Sequence, residues 1–364
     1  MKKKTKKYVF MVLGRSVLIS ILIAILLFIP TISVVTTNDD LSKKFFGNKS
    51  EYEGILTLWH VDTFEGGSSS RSAFLNKTAV NFEKQNKGVY IKVENLTVDE
   101  MLANINNGKI PNMFSFGTGV SGYLKEHMSV IKIGTATKLK SNFYSSGLDG
   151  GNLKAVAWCY SGYSLISTSE KITNANKEYN GNLKSLALNL SYDKVYKKNS
   201  KHINSLTFGK NDYVNALEVF SREFIDVSVF EELNKGNIDN KYNSQTPYEA
   251  YLNFITGKSS MLLGTVRDVF RMENRIITGQ ESDVLYEPLG SYTDMVNYIS
   301  ILNAEDKIMN VCKKFIEFLI SDNVQKSLTD IGLMSPILKN LYDIGIMKKI
   351  EESITENTII KNIF

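Results

Sequence analysis

GILTLWHVDTFEGGSSSRSAFLNKTAVNFEKQNKGVYIKV, residues 54–93, reads as strand, loop, helix and strand in succession. Ile55 to Trp59 is a nearly continuous apolar run, the pattern of a strand covered on both faces. Polarity changes at His60 and continues through Asp62, Glu65, a glycine pair, three serines and Arg71. Leu75, Ala79 and Phe82 then recur at i, i+4 and i+7, which predicts a helix capped at Gly88, and VYIKV alternates as a strand. Downstream, VDEMLANINNG reads as a short helix ending at Gly108 and MFSFG (Met113 to Gly117) as a third strand. The order β-α-β-α-β with short connections predicts parallel strands joined by right-handed crossovers, an α/β unit.

That order gives the polar burst a meaning. In open parallel sheets, ligands bind beyond the carboxyl ends of the strands, where His60, Asp62, Glu65 and Arg71 fall. Gly66 and Gly67 let the backbone approach a ligand, and the helix beginning near Ser72 offers free N–H groups. A solvated βα loop with a capping serine is the plainer reading of the same residues. The chain has two tryptophans, Trp59 and Trp158, each ending an apolar run beside polar or aromatic neighbours; the second lies in AVAWCYSGYSL with Tyr160 and Tyr163. Aromatic faces beside carboxylates and amides suit a sugar ring, whose C–H face stacks while its hydroxyls bond the rim. Two core-filling tryptophans are the alternative.

Outward from this unit, the start of the chain is of a different kind. MKKKTKKY precedes Ser16–Val35, a stretch of 20 uncharged residues, enough at roughly 1.5 Å per residue to cross a hydrocarbon core of about 30 Å. The basic flank marks the cytoplasmic side, so residues 1–35 are expected to anchor the rest at the extracellular face; a cleaved signal peptide with secretion is the competing reading. No cysteine there would carry a lipid. The formal net charge is +5, and these 35 residues hold five lysines, one arginine and no acid, which leaves −1 for the remainder. Without a basic patch on the folded part, nucleic acid is excluded as a partner. Residues 36–53 are polar and aperiodic, as in a tether.

Residues 167–201 are rich in Asn, Lys and Ser and read as peripheral loops of a second lobe. Thr246-Pro247-Tyr248-Glu249 joins a capping box to a proline at the first helical position, with Gly257 closing the helix; SMLLG follows as a strand and TVRDVFRMEN turns polar. In DKIMNVCKKFIEFLI, Ile308, Val311, Cys312, Phe315 and Leu319 form one apolar face, and a second helix, VQKSLTDIG, stops at Gly332. Cys159 and Cys312 both sit in apolar contexts, which favours two buried thiols over a bridge.

Five of these stretches, in order, resemble the extracellular solute-binding proteins of bacterial ABC importers, in the carbohydrate-type branch. ILTLWHVDTF looks like that family's first strand, and NFEKQNKGVYIKV like its first helix and second strand. GKIPNMFSF is similar to its Gly-x-x-Pro-Asp turn, with Asn112 in place of the aspartate. YEAYLNFITGKSSMLLGT and KKFIEFLISDNVQKSLTDIGLMSP resemble its later helix–strand and helix-pair motifs, so the likeness runs from Gly54 to Pro336. The resemblance implies an α/β, two-lobed periplasmic-binding-protein-like fold of type II, with parallel or mixed sheets, flanking helices and hinge crossovers. Lobe one would comprise 54–157 and 287–332, lobe two 158–286 and 333–364. It implies capture of a small solute, a saccharide first, by hinge closure and delivery to an ABC permease.

The ligand contacts expected from lobe one are Trp59, His60, Asp62, Glu65, Arg71, Phe116 and Gly117. Lobe two would add Trp158, Tyr160, Tyr163, Arg267, Asp268 and Arg271, with Tyr292 and Asp294 of GSYTDMVNYI beside a crossover strand. Arg267, Asp268 and Arg271 read equally as a surface ion-pair network, worth little energetically. His127 and His202 are assigned nothing. Two rivals remain at this stage. A tethered sensor would signal to a membrane partner without delivering solute. A hydrolase would use Asp62 and Glu65 as a carboxylate pair, or His60, Asp62 and Glu65 as metal ligands. The sequence has no HExxH, nucleophile elbow or phosphate loop, so neither catalysis nor a cofactor is expected.

Overall fold

The computed structural model describes residues 48–174, 181–187, 206–224 and 245–364. The anchor expected over 1–35, residues 36–47 of the tether, His202 and much of the 167–201 segment lie outside the described residues. No helix among the described residues is long and apolar enough to cross a membrane.

The described chain divides into two compact units, one holding 48–54 with 81–89 and the other 55–80 with 90–364. In the first, Asn86 Nδ2 donates to Phe82 O at 2.9 Å and closes the last helical turn. The helix therefore ends at Gln85, ahead of the expected cap; Gly88, at φ +90°, lies inside the following strand instead.

The elements run β1 (Asn48–Val61), α1 (Arg71–Gln85), β2 (Asn86–Asn95), α2 (Val98–Asn106) and β3 (Met113–Gly117). Next come α3 (Ser141–Ser146), the short pair β4 (Leu148–Asp149) and β5 (Asn152–Leu153), β6 (Val156–Tyr160), β7 (Tyr163–Ser167) and α4 (Ser169–Asn174). They are followed by β8 (Leu206–Phe208), α5 (Ala216–Phe224), α6 (Pro247–Ile255), β9 (Met261–Thr265) and α7 (Val266–Ile277). The chain finishes with β10 (Leu285–Leu289), β11 (Tyr292–Thr293), β12 (Val296–Ile301), α8 (Asp306–Leu319), α9 (Asp322–Lys326), α10 (Gly345–Ser353) and β13 (Ile359–Ile360).

Two sheets organise these elements. The first has the order β2-β1-β3-β12-β6, the second β10-β7-β9-β8. β1 runs parallel to β3, with Leu58 opposite Met113 and Val61 opposite Phe116, as the β-α-β reading predicts. β12 is antiparallel to both β3 and β6, which makes the sheet mixed. Its strands β3, β6 and β12 are buried at every residue, the signature of strands covered on both faces. In the second sheet β7 is antiparallel to β9 and β10, and β8 is parallel to β9.

The chain passes from the first sheet to the second between Tyr160 and Tyr163, and back between Leu289 and Val296. Both passages lie a few residues beyond the expected boundaries at 157/158 and 286/287. β6 keeps Trp158–Tyr160 in the first sheet, and β10 keeps Glu287–Leu289 in the second. Gly162 fits the passage because a Cβ there would sit 2.9 Å from Ile350 Cδ1 of α10.

Local signals are realised closely where they were strong. Thr246 Oγ1 accepts from Glu249 N at 3.2 Å while Glu249 Oε2 accepts from Thr246 N at 2.6 Å, with Pro247 opening α6. α8 buries Val311, Cys312, Phe315, Ile316 and Leu319, and Gly332, at φ +63°, ends the turn that follows α9. Cys159 and Cys312 are buried free thiols, and burial pushes the Cys312 thiol up to about 12.

Asn112 stands where the related motif carries an aspartate. Its Oδ1 accepts from Thr57 N at 2.8 Å and from Thr57 Oγ1 at 3.2 Å, tying the approach to β3 onto β1. Both partners are donors to one oxygen, so a carboxylate would serve them equally. Asn112→Asp should leave the unfolding free energy within about 0.5 kcal/mol, whereas Asn112→Ala should cost about 1 kcal/mol, measured by urea denaturation.

Candidate functional site

The carboxyl end of β1 opens into the loop Asp62–Ser70, as its polarity predicted, and the helix α1 begins at Arg71. The loop is pinned near its carboxyl end. Ser68 N donates to Ile331 O at 2.8 Å, and Gly67, at φ +67°, takes a conformation whose Cβ would lie 2.2 Å from that oxygen. Only glycine fits there.

Behind the loop lies a buried polar network. Arg71, 4% exposed, donates from Nη1 to Asn297 Oδ1 at 2.8 Å and from Nη2 to Phe64 O, and its Nε is 2.7 Å from Asp62 Oδ1. Its guanidinium also lies over the Phe64 ring, 4.3 Å from the centroid. His60 is fully buried, with Nδ1 3.0 Å from Ser115 Oγ and Nε2 3.0 Å from Asp62 Oδ1. Burial acts to raise the Asp62 pKa, but its contacts with His60 and Arg71 outweigh that and hold the carboxyl below its ordinary value.

In front of the loop is a cavity of about 530 Å³, within the roughly 300–1,000 Å³ range of small-ligand pockets. Asp62, Glu65, Ser69 and Ser70 face it from the first lobe, Asn211 and Arg267 from the second. The walls also touch one another directly. Glu65 Oε2 is 2.8 Å from Arg271 Nη2 and 3.9 Å from Arg267 Nε, and Asn211 Nδ2 donates to Thr63 O at 3.3 Å. Arg271 Nη1 in turn donates to Asp268 Oδ1 at 2.8 Å on α7. Burial raises the Asp268 carboxyl above its ordinary range, against its hydrogen bond from Thr265 N and the charge of Arg271.

This architecture, two α/β sheets exchanging the chain with a cavity lined from both, has close structural parallels. The fold is shared with ABC substrate-binding and sugar-binding proteins. A substrate-binding protein from Listeria monocytogenes, solved in complex with cycloalternan, covers 86% of this chain and 89% of its own at a TM-score of 0.57 and 14% identity. The sugar-binding protein MalE from Xanthomonas citri covers 85% and 86% at 0.59 and 14%. A Streptococcus pneumoniae solute-binding protein in complex with the blood group A-trisaccharide covers 84% and 87% at 0.57 and 14%. These neighbours are binding proteins. No protein-family model and no curated protein sequence matches the chain.

Within this substrate-binding fold, the expected contacts separate into two groups. Asp62, Glu65, Arg71 and Arg267 line the cavity, and Arg271 stands behind Glu65. The others are buried in packing. Trp59 is 3% exposed and donates Nε1 to Glu94 Oε2 at 2.8 Å. Trp158 is fully buried, stacks on Phe74 at 5.8 Å and donates Nε1 to Ser115 Oγ at 3.1 Å. Neither indole face is open to a sugar ring in this conformation. Phe116 stacks on Phe114 and Tyr298, and Gly117 is wedged against Thr63, whose Oγ1 would lie 2.3 Å from a Cβ.

Tyr160, Tyr163, Tyr292 and Asp294 are buried around the chain passages. Tyr163 OH donates to Asp294 Oδ1 at 2.6 Å, and Asn215 N donates to Asp294 Oδ2 at 2.9 Å. Burial raises the Asp294 carboxyl against those hydrogen bonds. These groups tie the crossing segments to the second lobe. The metal reading of His60, Asp62 and Glu65 fails on geometry, since Glu65 turns toward Arg271; among the described residues no group of three His, Cys, Asp or Glu side chains could hold a metal ion. Sequence reasoning passed over Ser69, Ser70, Asn211 and Phe64. The first two and Phe64 stood within the polar burst, whereas Asn211, in FGKNDYVN, carries no sequence signal beyond a turn.

Proposed function

We propose that the chain captures a small solute, a saccharide in class, outside the cytoplasm and delivers it to the permease of an ABC importer. The observation that carries this reading is a cavity lined from both lobes at the carboxyl end of β1, in a fold shared with proteins solved with oligosaccharides bound. Ligand contacts to both lobes stabilise the closed arrangement, and opening releases the solute. The basic, apolar N-terminal segment would tether the receptor at the outer membrane face beside its transporter. The reading is one of binding without chemistry, in keeping with structural neighbours that are binding proteins.

Thermal unfolding of the full chain, solubilised in detergent, against a panel of neutral saccharides, sugar acids, amino acids and divalent metals tests the proposal. A saccharide at 100 times its Kd should add about 2.7 kcal/mol, a rise of roughly 5–10 °C in Tm for lobes of this size. No shift with any saccharide overturns the reading.

A further inference from the structure

We infer that the cavity is built for a saccharide carrying one carboxylate, and that Glu65 occupies the carboxylate position when no ligand does. This rests on the saccharide-capture reading above and narrows it.

The argument is one of charge and surface. Arg71, Arg267, Asp62 and Glu65 line the cavity, and Arg271 and Asp268 stand behind Glu65. Asp62 is matched by Arg71 at 2.7 Å, and Asp268 by Arg271 at 2.8 Å. Glu65 is left to serve Arg271 and Arg267 together. It satisfies the first at 2.8 Å and reaches only to 3.9 Å of the second, whose Nε is buried and makes no hydrogen bond. Arg267 Nη1 has only a long contact, 3.5 Å, to Gly67 O. The guanidinium at the cavity wall is thus the under-satisfied member of the cluster. Glu65 is a replaceable partner for it: its side chain is 47% exposed, on a loop of the opposite lobe.

If Glu65 turns out to solvent, the cluster is left with one net positive charge across Arg267 and Arg271. One ligand carboxylate restores neutrality and can use guanidinium donors in a fork. A phosphate monoester, at about −1.5 to −2 charge, would overshoot. The remaining lining suits a sugar: Ser69, Ser70 and Asn211 offer hydroxyl and amide groups that both donate and accept. Among the described residues lining the cavity no aromatic face is free to stack on a neutral ring, because both tryptophans are buried and Arg71 lies over the Phe64 ring. Recognition then falls to the charge.

Isothermal titration of the full chain with D-galacturonate and digalacturonate, against D-galactose and galactobiose, tests this. The acids should bind at least tenfold more tightly than their neutral counterparts, with the difference shrinking as salt rises. Arg267→Gln, at a part-exposed position, should remove that advantage, bringing the acids and their neutral counterparts to within about twofold of each other. Glu65→Gln should tighten the acids severalfold by removing the internal competitor. Equal affinity for acid and neutral sugar in the unmodified chain, or an equal loss of both in Arg267→Gln, overturns the inference and leaves saccharide capture standing. Binding of no saccharide in the wider panel overturns both. Should Arg267→Gln fail to fold by circular dichroism, the comparison in the unmodified chain decides alone.

Discussion

A chain carrying Trp158→Ala should lose about 3–5 kcal/mol of unfolding free energy, read from the urea midpoint with the slope unchanged. The indole fills the middle of β6 with no exposed surface, lies parallel to Phe74 with 12° between the rings, and anchors Ser115 through Nε1. Truncation leaves a cavity that β3, β12 and the facing helix cannot close, and it strips Ser115 Oγ of a donor while His60 Nδ1 remains beside it. Trp158→Phe keeps most of the volume and should cost much less. The pair of variants also separates packing from recognition. A saccharide that binds Trp158→Phe as it binds the unmodified chain shows that this indole supports the sheet. A loss of binding without a loss of stability would show instead that the indole meets the ligand.

The second large effect is expected at Arg71. Arg71→Met should destabilise the chain by about 3 kcal/mol, the low end for breaking a buried ion pair, because Asp62 keeps 38% of its side chain in water. Asn297 Oδ1 and Phe64 O lose their donor at the same time. The variant should also change how stability follows pH. Asp62 titrates below its ordinary value in the folded chain, so its contribution is fully present above the unfolded carboxyl pKa of about 3.9 and fades as pH falls through the lower folded value. Removing Arg71 takes away one of the groups that hold the carboxyl down. The loss of stability between about pH 5 and 2 should then be shallower in Arg71→Met than in the unmodified chain, once other carboxylates are accounted for by the difference. Parallel curves for the two chains would show that the Asp62–Arg71 contact carries no such weight.

Much of the fold was legible because its signals are local. An apolar run without alternation marked β1, a capping box with a proline marked α6, and a single apolar face marked α8. Each depends on residues within a turn or two of one another. The mixed sheet came only with the family resemblance and could not be read from local signals, since the antiparallel placement of β12 beside β3 joins Asn297 to Gly117 and Ile301 to Met113. The site divides along the same line. That the polar burst sits at the carboxyl edge of a strand follows from element order alone, and Asp62, Glu65 and Arg71 are found there.

The burial of the tryptophans was not legible, because residue type shows affinity for sugar rings but not which way a side chain faces. Trp59 and Trp158 lie on strands, with partners, Glu94 and Ser115, that take up their polar N–H groups inside the protein. The arginines of α7 went the other way: Arg271 and Asp268 do form an ion pair, and the same Arg271 also reaches the opposite lobe through Glu65.

The position of β12 has a consequence for how the chain is made. It is the strand between β3 and β6, yet it is encoded only at Val296–Ile301, after the whole second sheet. A chain emerging amino end first, at about 5–20 residues per second, therefore presents β3 and β6 with open edges until nearly five-sixths of its length has appeared. Exposed edges of apolar strands template pairing with other chains. A molecule with this strand order gains from being kept from folding until β12 has been made.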